Sequence, residues 1–189
     1  MKRFALLLLV VFQTAWGLSL QDRQTGNISY MWDRIADFEA ASELFMESFL
    51  AAYDPIPLET LGVESKEAFL QEVIDEELEL FFLDPKVHWL LAKEEGKVVG
   101  LLILDLSEYP KEVYGRQMAI HPDYLRHSVG TEMAKVAQAN LPDANRIVAI
   151  TRVFNTTSMV FFESLGFKRC AYMHEGYDPA RYVGYEIVK

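Results

Sequence analysis

Cysteine occurs once in the 189 residues, at Cys170, so the chain has no intramolecular disulfide and no cysteine-rich zinc site. A lone cysteine in an apolar stretch reads as a small strand residue. Cations are also scarce. Against 28 Asp and Glu there are 18 Lys and Arg, a formal charge of −10. That excludes a nucleic-acid footprint spread over the surface, because neutralising phosphates takes clustered Lys and Arg. The chain has no low-complexity run, and no apolar run approaches the roughly 20 residues of a membrane-spanning helix. What remains is a globular composition, 51% hydrophobic and 13% aromatic, at a length that suits one domain.

The longest apolar run is at the start. Met1-Lys2-Arg3 leads into Phe4–Phe12 without a polar residue, followed by Gln13-Thr14-Ala15-Trp16-Gly17. A basic end, a short apolar stretch and small residues at Ala15 and Gly17 read as a cleavable signal peptide over residues 1–17. The expectation is a secreted or periplasmic protein with no stable membrane insertion once the signal is removed. An uncleaved signal anchoring the domain to a membrane is the alternative. Residues 18–26 then form an N-terminal segment and residues 27–189 the domain.

The charge is unevenly spread. Residues 1–110 hold 8 basic and 20 acidic side chains, a net of −12, whereas residues 111–189 hold 10 and 8, a net of +2. An anionic ligand belongs to the second half.

Hydrophobic periodicity orders the elements. Asn27–Trp32 is β-like, and Ile35, Phe38, Ala41, Phe45, Phe49 and Ala52 form one helical stripe that stops before Asp54-Pro55-Ile56-Pro57. A second helix fits Glu64–Phe82, with Phe69, Val73, Ile74, Leu78 and Phe81 inward and Glu67, Glu72, Glu76 and Glu79 outward. Its acidic face reads as a solvated face, or as a lip that attracts a cationic amine. His88–Ala92 and Val98–Leu106 read as a hairpin over Lys93–Lys97, and Val113–Ile120 as a third strand. Then follow a helix from about Ser128 to Asn140, a strand Arg146–Val153, a helix Thr156–Leu165, and strands Lys168–Met173 and Arg181–Val188. The fold class implied is α/β, a mixed sheet of about seven strands with four helices on its two faces.

Two segments carry chemistry. In Met118-Ala119-Ile120-His121-Pro122-Asp123-Tyr124-Leu125-Arg126-His127-Ser128-Val129-Gly130-Thr131 a strand leads through a short loop into a helix. Unpaired amides and the positive dipole end of a helix N-terminus bind anions, and Arg126 and His127 add donors beside them. The plain structural reading is a strand-to-helix turn capped by Ser128. In Asn155-Thr156-Thr157-Ser158-Met159-Val160-Phe161-Phe162-Glu163-Ser164-Leu165-Gly166-Phe167, Asn155 caps a helix and Gly166 ends it.

In this order, one strand apart, the two segments resemble the GNAT family of N-acetyltransferases, over essentially Asn27–Lys189. The family's scheme Gln/Arg-x-x-Gly-x-Gly/Ala falls here on Leu125, Arg126, His127, Ser128, Val129 and Gly130. Gly130 fits fully, Ser128 is a small replacement for glycine, and Leu125 departs from the expected polar residue. The strand exit Ala119–Arg126, Asn155 and Leu165-Gly166-Phe167 match better. Where many relatives carry a tyrosine that protonates the departing thiolate, this chain has Phe162, which has no proton to give.

The resemblance implies acetyl transfer from acetyl-CoA to an amine of a small molecule or protein, with no metal. It implies that the amides of the 125–131 loop, with Arg126, His127, Ser128, Val129, Gly130 and Thr131, hold the pyrophosphate. It implies further that the backbone of Met118 and Ile120 pairs with pantetheine, that a Met118-type amide stabilises the oxyanion, and that Asn155 and Phe162 border the cofactor. The general base stays open among Asp105, Glu108, Glu112, Tyr114, Tyr172 and His174, each of which has an ordinary structural role as well. His88 reads as structural. The altered pyrophosphate motif, Phe162 and the export signal support a rival: a secreted acetyltransferase-like module that binds rather than catalyses. Asn27-Ile28-Ser29 and Asn155-Thr156-Thr157 are formal glycosylation sequons.

Overall fold

A computed structural model describes residues 18–33, 37–78 and 83–189. The signal-peptide reading of residues 1–17, the stripe residue Ile35, and Glu79 and Phe81 on the second helix all lie outside the described residues.

Eight strands form one sheet: β1 Arg23–Thr25, β2 Ile28–Trp32, β3 Val87–Glu94, β4 Lys97–Asp105, β5 Val113–Ile120, β6 Arg146–Arg152, β7 Lys168–Cys170 and β8 Tyr182–Val188. They lie in the order β1-β2-β3-β4-β5-β6-β8-β7, antiparallel throughout except where β5 meets β6. The strand absent from the sequence reading is β1. Its residues Arg23, Gln24 and Thr25 are all exposed and polar, so no hydrophobic alternation marks it, and pairing to β2 alone makes it a strand. The β3–β4 hairpin turns on Glu95 and Gly96 with φ of 48° and 88°, the doubly left-handed geometry of a tight hairpin turn.

Helix α1 (Phe38–Tyr53), the single turn α2 (Leu58–Leu61) and α3 (Lys66–Val73, continuing as a π-turn Ile74–Leu78) follow β2. Ser65 caps α3, its hydroxyl accepting from the Ala68 amide at 3.2 Å. Helix α4 (Val129–Asn140) crosses over from β5 to β6, and α5 (Thr156–Ser164) leaves β6. The sheet has a core on each face. Ala41, Leu44, Phe45 and Tyr53 of α1 join Leu70, Ile74 and Leu78 over Trp89, Leu91, Leu101, Ile103 and Ala119. On the other face Val129, Met133, Val136 and Ala137 of α4 and Met159 of α5 cover Leu90, Ala92, Leu102, Leu104 and Val113. Each side chain as large as Leu buried in this way contributes about 1.5–3 kcal/mol. The α1 stripe differs in detail from its periodic reading: Ala52 is exposed, and Leu44 and Tyr53 take up the buried face. Glu67 and Glu72 are exposed, as a solvated face requires.

His88 is structural. Its Nδ1 lies 2.8 Å from Asp33 Oδ2, and Asp33 Oδ1 accepts from the Trp89 amide at 3.0 Å, so the pair clasps the end of β2 to β3.

Candidate active site

The site begins with a defect in the sheet. Along β4 and β5 the register runs Leu104↔Gly115 and then Ile103↔Gln117, so Arg116 is an extra residue, a β-bulge. A bulge bends its strand and increases its twist. One residue earlier the parallel pairing of β5 with β6 ends, at Gly115↔Ala149. Beyond it Gln117–Ile120 continue against β4, while Ile150, Thr151 and Arg152 pair only with β8. The two strands therefore diverge and leave a wedge between them.

Backbone groups line that wedge. The His121 amide donates to Val99 O at 3.0 Å on the β4 side, so by strand alternation the amides of Ile120 and Met118 point toward the gap. The Ile120 amide donates to Ser48 Oγ of α1 at 3.2 Å. Sequence reading assigned Ile120 to pantetheine and missed Ser48, because the helical stripe of α1 was read only for its apolar residues. A ligand that takes the Ile120 amide displaces the Ser48 hydroxyl; the Met118 amide has no such rival in α1.

At the open end of the wedge stands the N-terminus of α4. Arg126 and Ser128 have φ of 67° and 65°, in the left-handed region that glycine enters without steric cost. Ser128 is at the N-cap, but its side chain makes no capping hydrogen bond. The capped turn read from the sequence is thus not formed by the hydroxyl; the left-handed backbone takes its place, which explains why the family's scheme has glycine there. Holding a serine in this conformation costs about 1 kcal/mol or more. The first turn's amides at Val129, Gly130 and Thr131 have no helical acceptor, since intrahelical bonding starts with Glu132 N donating to Ser128 O at 2.9 Å. Leu125, Arg126, His127 and Ser128 are exposed around them, and Val129 anchors the turn at 1% exposure. Free amides at the positive end of a helix dipole suit an anionic group.

Gly130 is where the first helical turn meets α5. A Cβ there would lie 3.5 Å from the Phe161 ring and 3.6 Å from Met118 Sδ. Phe161, rather than Phe162, is therefore the aromatic residue beside the loop. Phe162 points one helical step around, into a cluster with Tyr185 (centroids 5.1 Å apart), Phe167 (5.6 Å) and Phe161 (6.1 Å). Asn155 caps α5, its Oδ1 accepting from the Ser158 amide at 3.0 Å. A surface hollow lined by Leu18, Gln21, Tyr109, Val136 and Asn140 lies at the C-terminal end of α4, away from this turn.

Of the six open general-base candidates, five gather where β5 enters the wedge. The imidazole of His174 stacks on the Tyr114 ring at 4.6 Å and 19°, and Tyr172 lies 5.8 Å from the same ring. Asp105 is held by Arg116 through Nε at 3.1 Å and Nη2 at 2.6 Å. Burial pushes its carboxyl up, but hydrogen bonds from Ser107 and the Arg116 guanidinium more than offset that and hold it below its ordinary range. Glu112 pairs with Arg146 at 2.8 Å. Burial, reinforced by Glu112, pushes the Tyr172 phenol up to about 12. Glu108 stands apart on an exposed loop, 3.8 Å from Lys111. Among the described residues no cluster of His, Cys, Asp and Glu could hold a metal, and no helix is long and apolar enough to cross a membrane.

Residues 38–167 match the sequence model of the Acetyltransferase (GNAT) family. No curated protein matches the chain at a comparable level of significance. Among solved structures, the chain is similar to the PaiA N-acetyltransferase of Thermoplasma acidophilum in complex with coenzyme A, with a TM-score of 0.72 at 18% identity over 87% of this chain and 100% of that one. An acetyltransferase of Thermus thermophilus follows at 0.65 and 19%, over 88% and 100%. A GNAT-family acetyltransferase of Staphylococcus aureus gives 0.61 and 15%, over 84% and 97%. These likenesses establish the fold. The family match covers most of the chain, including the wedge, the α4 turn and α5. The chain belongs to the GNAT acetyltransferase family and is an N-acetyltransferase with acetyl-CoA as its co-substrate.

Proposed function

We propose that the protein transfers acetyl from acetyl-CoA to the amine of a small molecule or protein across the β5–β6 wedge. The observation that carries this reading is the Arg116 bulge, which opens the sheet next to a helix N-terminus with free amides. In this reading the amides of Val129, Gly130 and Thr131, with Arg126 and His127, hold the pyrophosphate. Met118 and Ile120 offer strand edges to the pantetheine, and the Met118 amide stabilises the oxyanion as the thioester carbonyl is attacked. Acetyl-CoA supplies the activated acyl group.

The acceptor must arrive as a free amine. Asp105 and Glu112 are already neutralised by arginines, and the Tyr172 phenol stays protonated at physiological pH. His174 Nδ1 lies 3.2 Å from the Glu175 carbonyl oxygen. Donation of that N–H leaves Nε2 as the basic nitrogen, over Tyr114 at the closed end of the wedge. His174 is the residue we assign to accept the ammonium proton. The thiolate departs without help from Phe162, which packs in the core-facing aromatic cluster instead.

The test is a thiol-release assay with acetyl-CoA and a panel of amines. Amine-dependent release of CoA supports the proposal. CoA binding without release from any amine would point to the module that binds rather than catalyses. We infer from residues 1–17 that the protein is exported, or anchored if the signal stays uncleaved; the intact mass of the protein isolated from its producing cell distinguishes the two. A glycan on Asn155 Nδ2 would stand at the N-terminus of α5, beside the proposed cofactor site, so modification there would argue against CoA binding. Asn27, exposed at the β1–β2 turn, has no such constraint.

A further inference from the structure

The acidic exterior of α3 suggested a cationic acceptor, yet the inner wall of the wedge is cationic. Arg152, the last residue of β6, lies three positions beyond the final β5–β6 pair, as Met118 does on β5. At about 3.3 Å per residue Arg152 stands roughly 10 Å past the point of divergence. The Arg152 side chain leaves the strand on the α1/α3 face, opposite α4 and α5. Its guanidinium carbon lies over Tyr182 at 5.1 Å, Phe69 at 5.7 Å and Phe154 at 5.9 Å, three rings from three separate segments. Tyr53 borders it as well: the Arg152 charge and a hydrogen bond from its guanidinium oppose the rise that burial gives that phenol.

The other arginines of this region are occupied. Arg116 pairs with Asp105, Arg146 with Glu112 and Glu186, and Arg181 donates to the Leu61 carbonyl at 2.6 Å. No carboxylate among the described residues lies within 4.0 Å of the Arg152 guanidinium. Stacked aromatic faces fix the plane of the guanidinium, and the edge donors beyond the one given to Tyr53 remain for a planar anion. A carboxylate accepts two parallel N–H bonds from such an edge, which a neutral amide with its single acceptor oxygen does not match.

We propose that Arg152 binds a carboxylate of the acceptor, so that the substrate class is amines that carry a carboxylate near the amino group, amino acids or a peptide terminus, with an apolar portion against Phe69, Phe154 and Tyr182. This rests on the acetyl-transfer reading for the identity of the reacting group, but not for the anion site itself. Recognition by Arg152 sets the amine against the thioester; the ammonium charge is removed separately at His174.

The experiment keeps the two apart. Calorimetry on the full protein, with CoA present and absent, titrates the N-acetylated forms of glycine, leucine, phenylalanine and lysine, each against its carboxamide. The expected result is binding of at least one acid about tenfold or more tighter than its carboxamide, with the difference lost in R152M and reduced in R152K. Both variants are checked by thermal melting, and R152K keeps the cation on the aromatic rings if R152M does not fold. Equal affinity for acids and carboxamides, binding of neither, or a preference that survives in R152M and R152K overturns the proposal. Failure of CoA itself to bind counts against the acetyl-transfer reading and leaves the acid-to-carboxamide comparison readable.

Discussion

Gly130 offers the sharpest perturbation of the α4 turn, because the structure separates two effects of adding a side chain. A methyl group would sit 3.5 Å from Phe161 and 3.6 Å from Met118 Sδ, ordinary van der Waals contact. Gly130→Ala therefore has room, and it removes the backbone entropy that glycine loses in a helix, about 0.5–1 kcal/mol. For a chain of this size that is a rise in Tm of about 1–4 °C. Gly130→Leu places further carbons where the Phe161 ring and Met118 sulfur already are. Overpacking of that kind costs about 1–3 kcal/mol, or a fall of about 2–12 °C. Binding should divide the same way. The alanine variant keeps its CoA affinity within about threefold, and the leucine variant loses about tenfold or more as Phe161 is driven over the free amides. Thermal melts and calorimetry with CoA read both quantities. If Gly130→Ala destabilises as much as Gly130→Leu, the packing described here is wrong. If Gly130→Leu binds CoA normally, the turn is not the anion site.

Three further outcomes follow from the site. The Asp105 carboxyl is held below its ordinary value, so the stability it contributes is fully present above the unfolded carboxyl's pKa of about 3.9 and is lost as pH falls through the folded value. Asp105→Asn should cost about 1–3 kcal/mol near neutrality and flatten the acid limb of a Tm-against-pH curve; an acid limb parallel to wild type contradicts the assignment. His174→Gln should lower kcat/KM by about a hundredfold while leaving CoA affinity unchanged; an unaltered kcat/KM excludes His174 as the proton acceptor. Phe162→Tyr should leave kcat within about threefold of wild type, because the ring packs against Tyr185 and Phe167 and not beside the leaving sulfur. A rise of about tenfold or more in steady-state kcat, with the variant folded, contradicts that placement.

The element order was legible wherever one face of an element is apolar. The α1 end at Tyr53, the β5 span Val113–Ile120 and the α4 end at Asn140 all fall where hydrophobic periodicity and the following proline or loop put them. β1 was not legible, because three exposed polar residues have no pattern and become a strand through their partner. The same limit applies at the site. Motif spacing located the α4 turn and Asn155, but a bulge at Arg116 leaves no mark in the sequence, since it is a mismatch between two strands. Ser48 and Arg152 were invisible for a related reason. One is a polar residue within an amphipathic helix and the other a charge ending a strand, and only the tertiary packing brings them to the wedge. The turn at Ser128 shows the reverse case, in which a residue that reads as a cap is required for its backbone and not for its hydroxyl.

The central claim is that backbone amides at the start of α4 and along the free edge of β5 hold the cofactor. Proton–nitrogen correlation spectra of the labelled protein during titration with CoA test it at the atoms concerned. The largest saturable shifts are expected at Val129, Gly130 and Thr131, accompanied by Met118 and Ile120. Saturation of the protein with those amides unmoved, or no saturable shift at all, would contradict it.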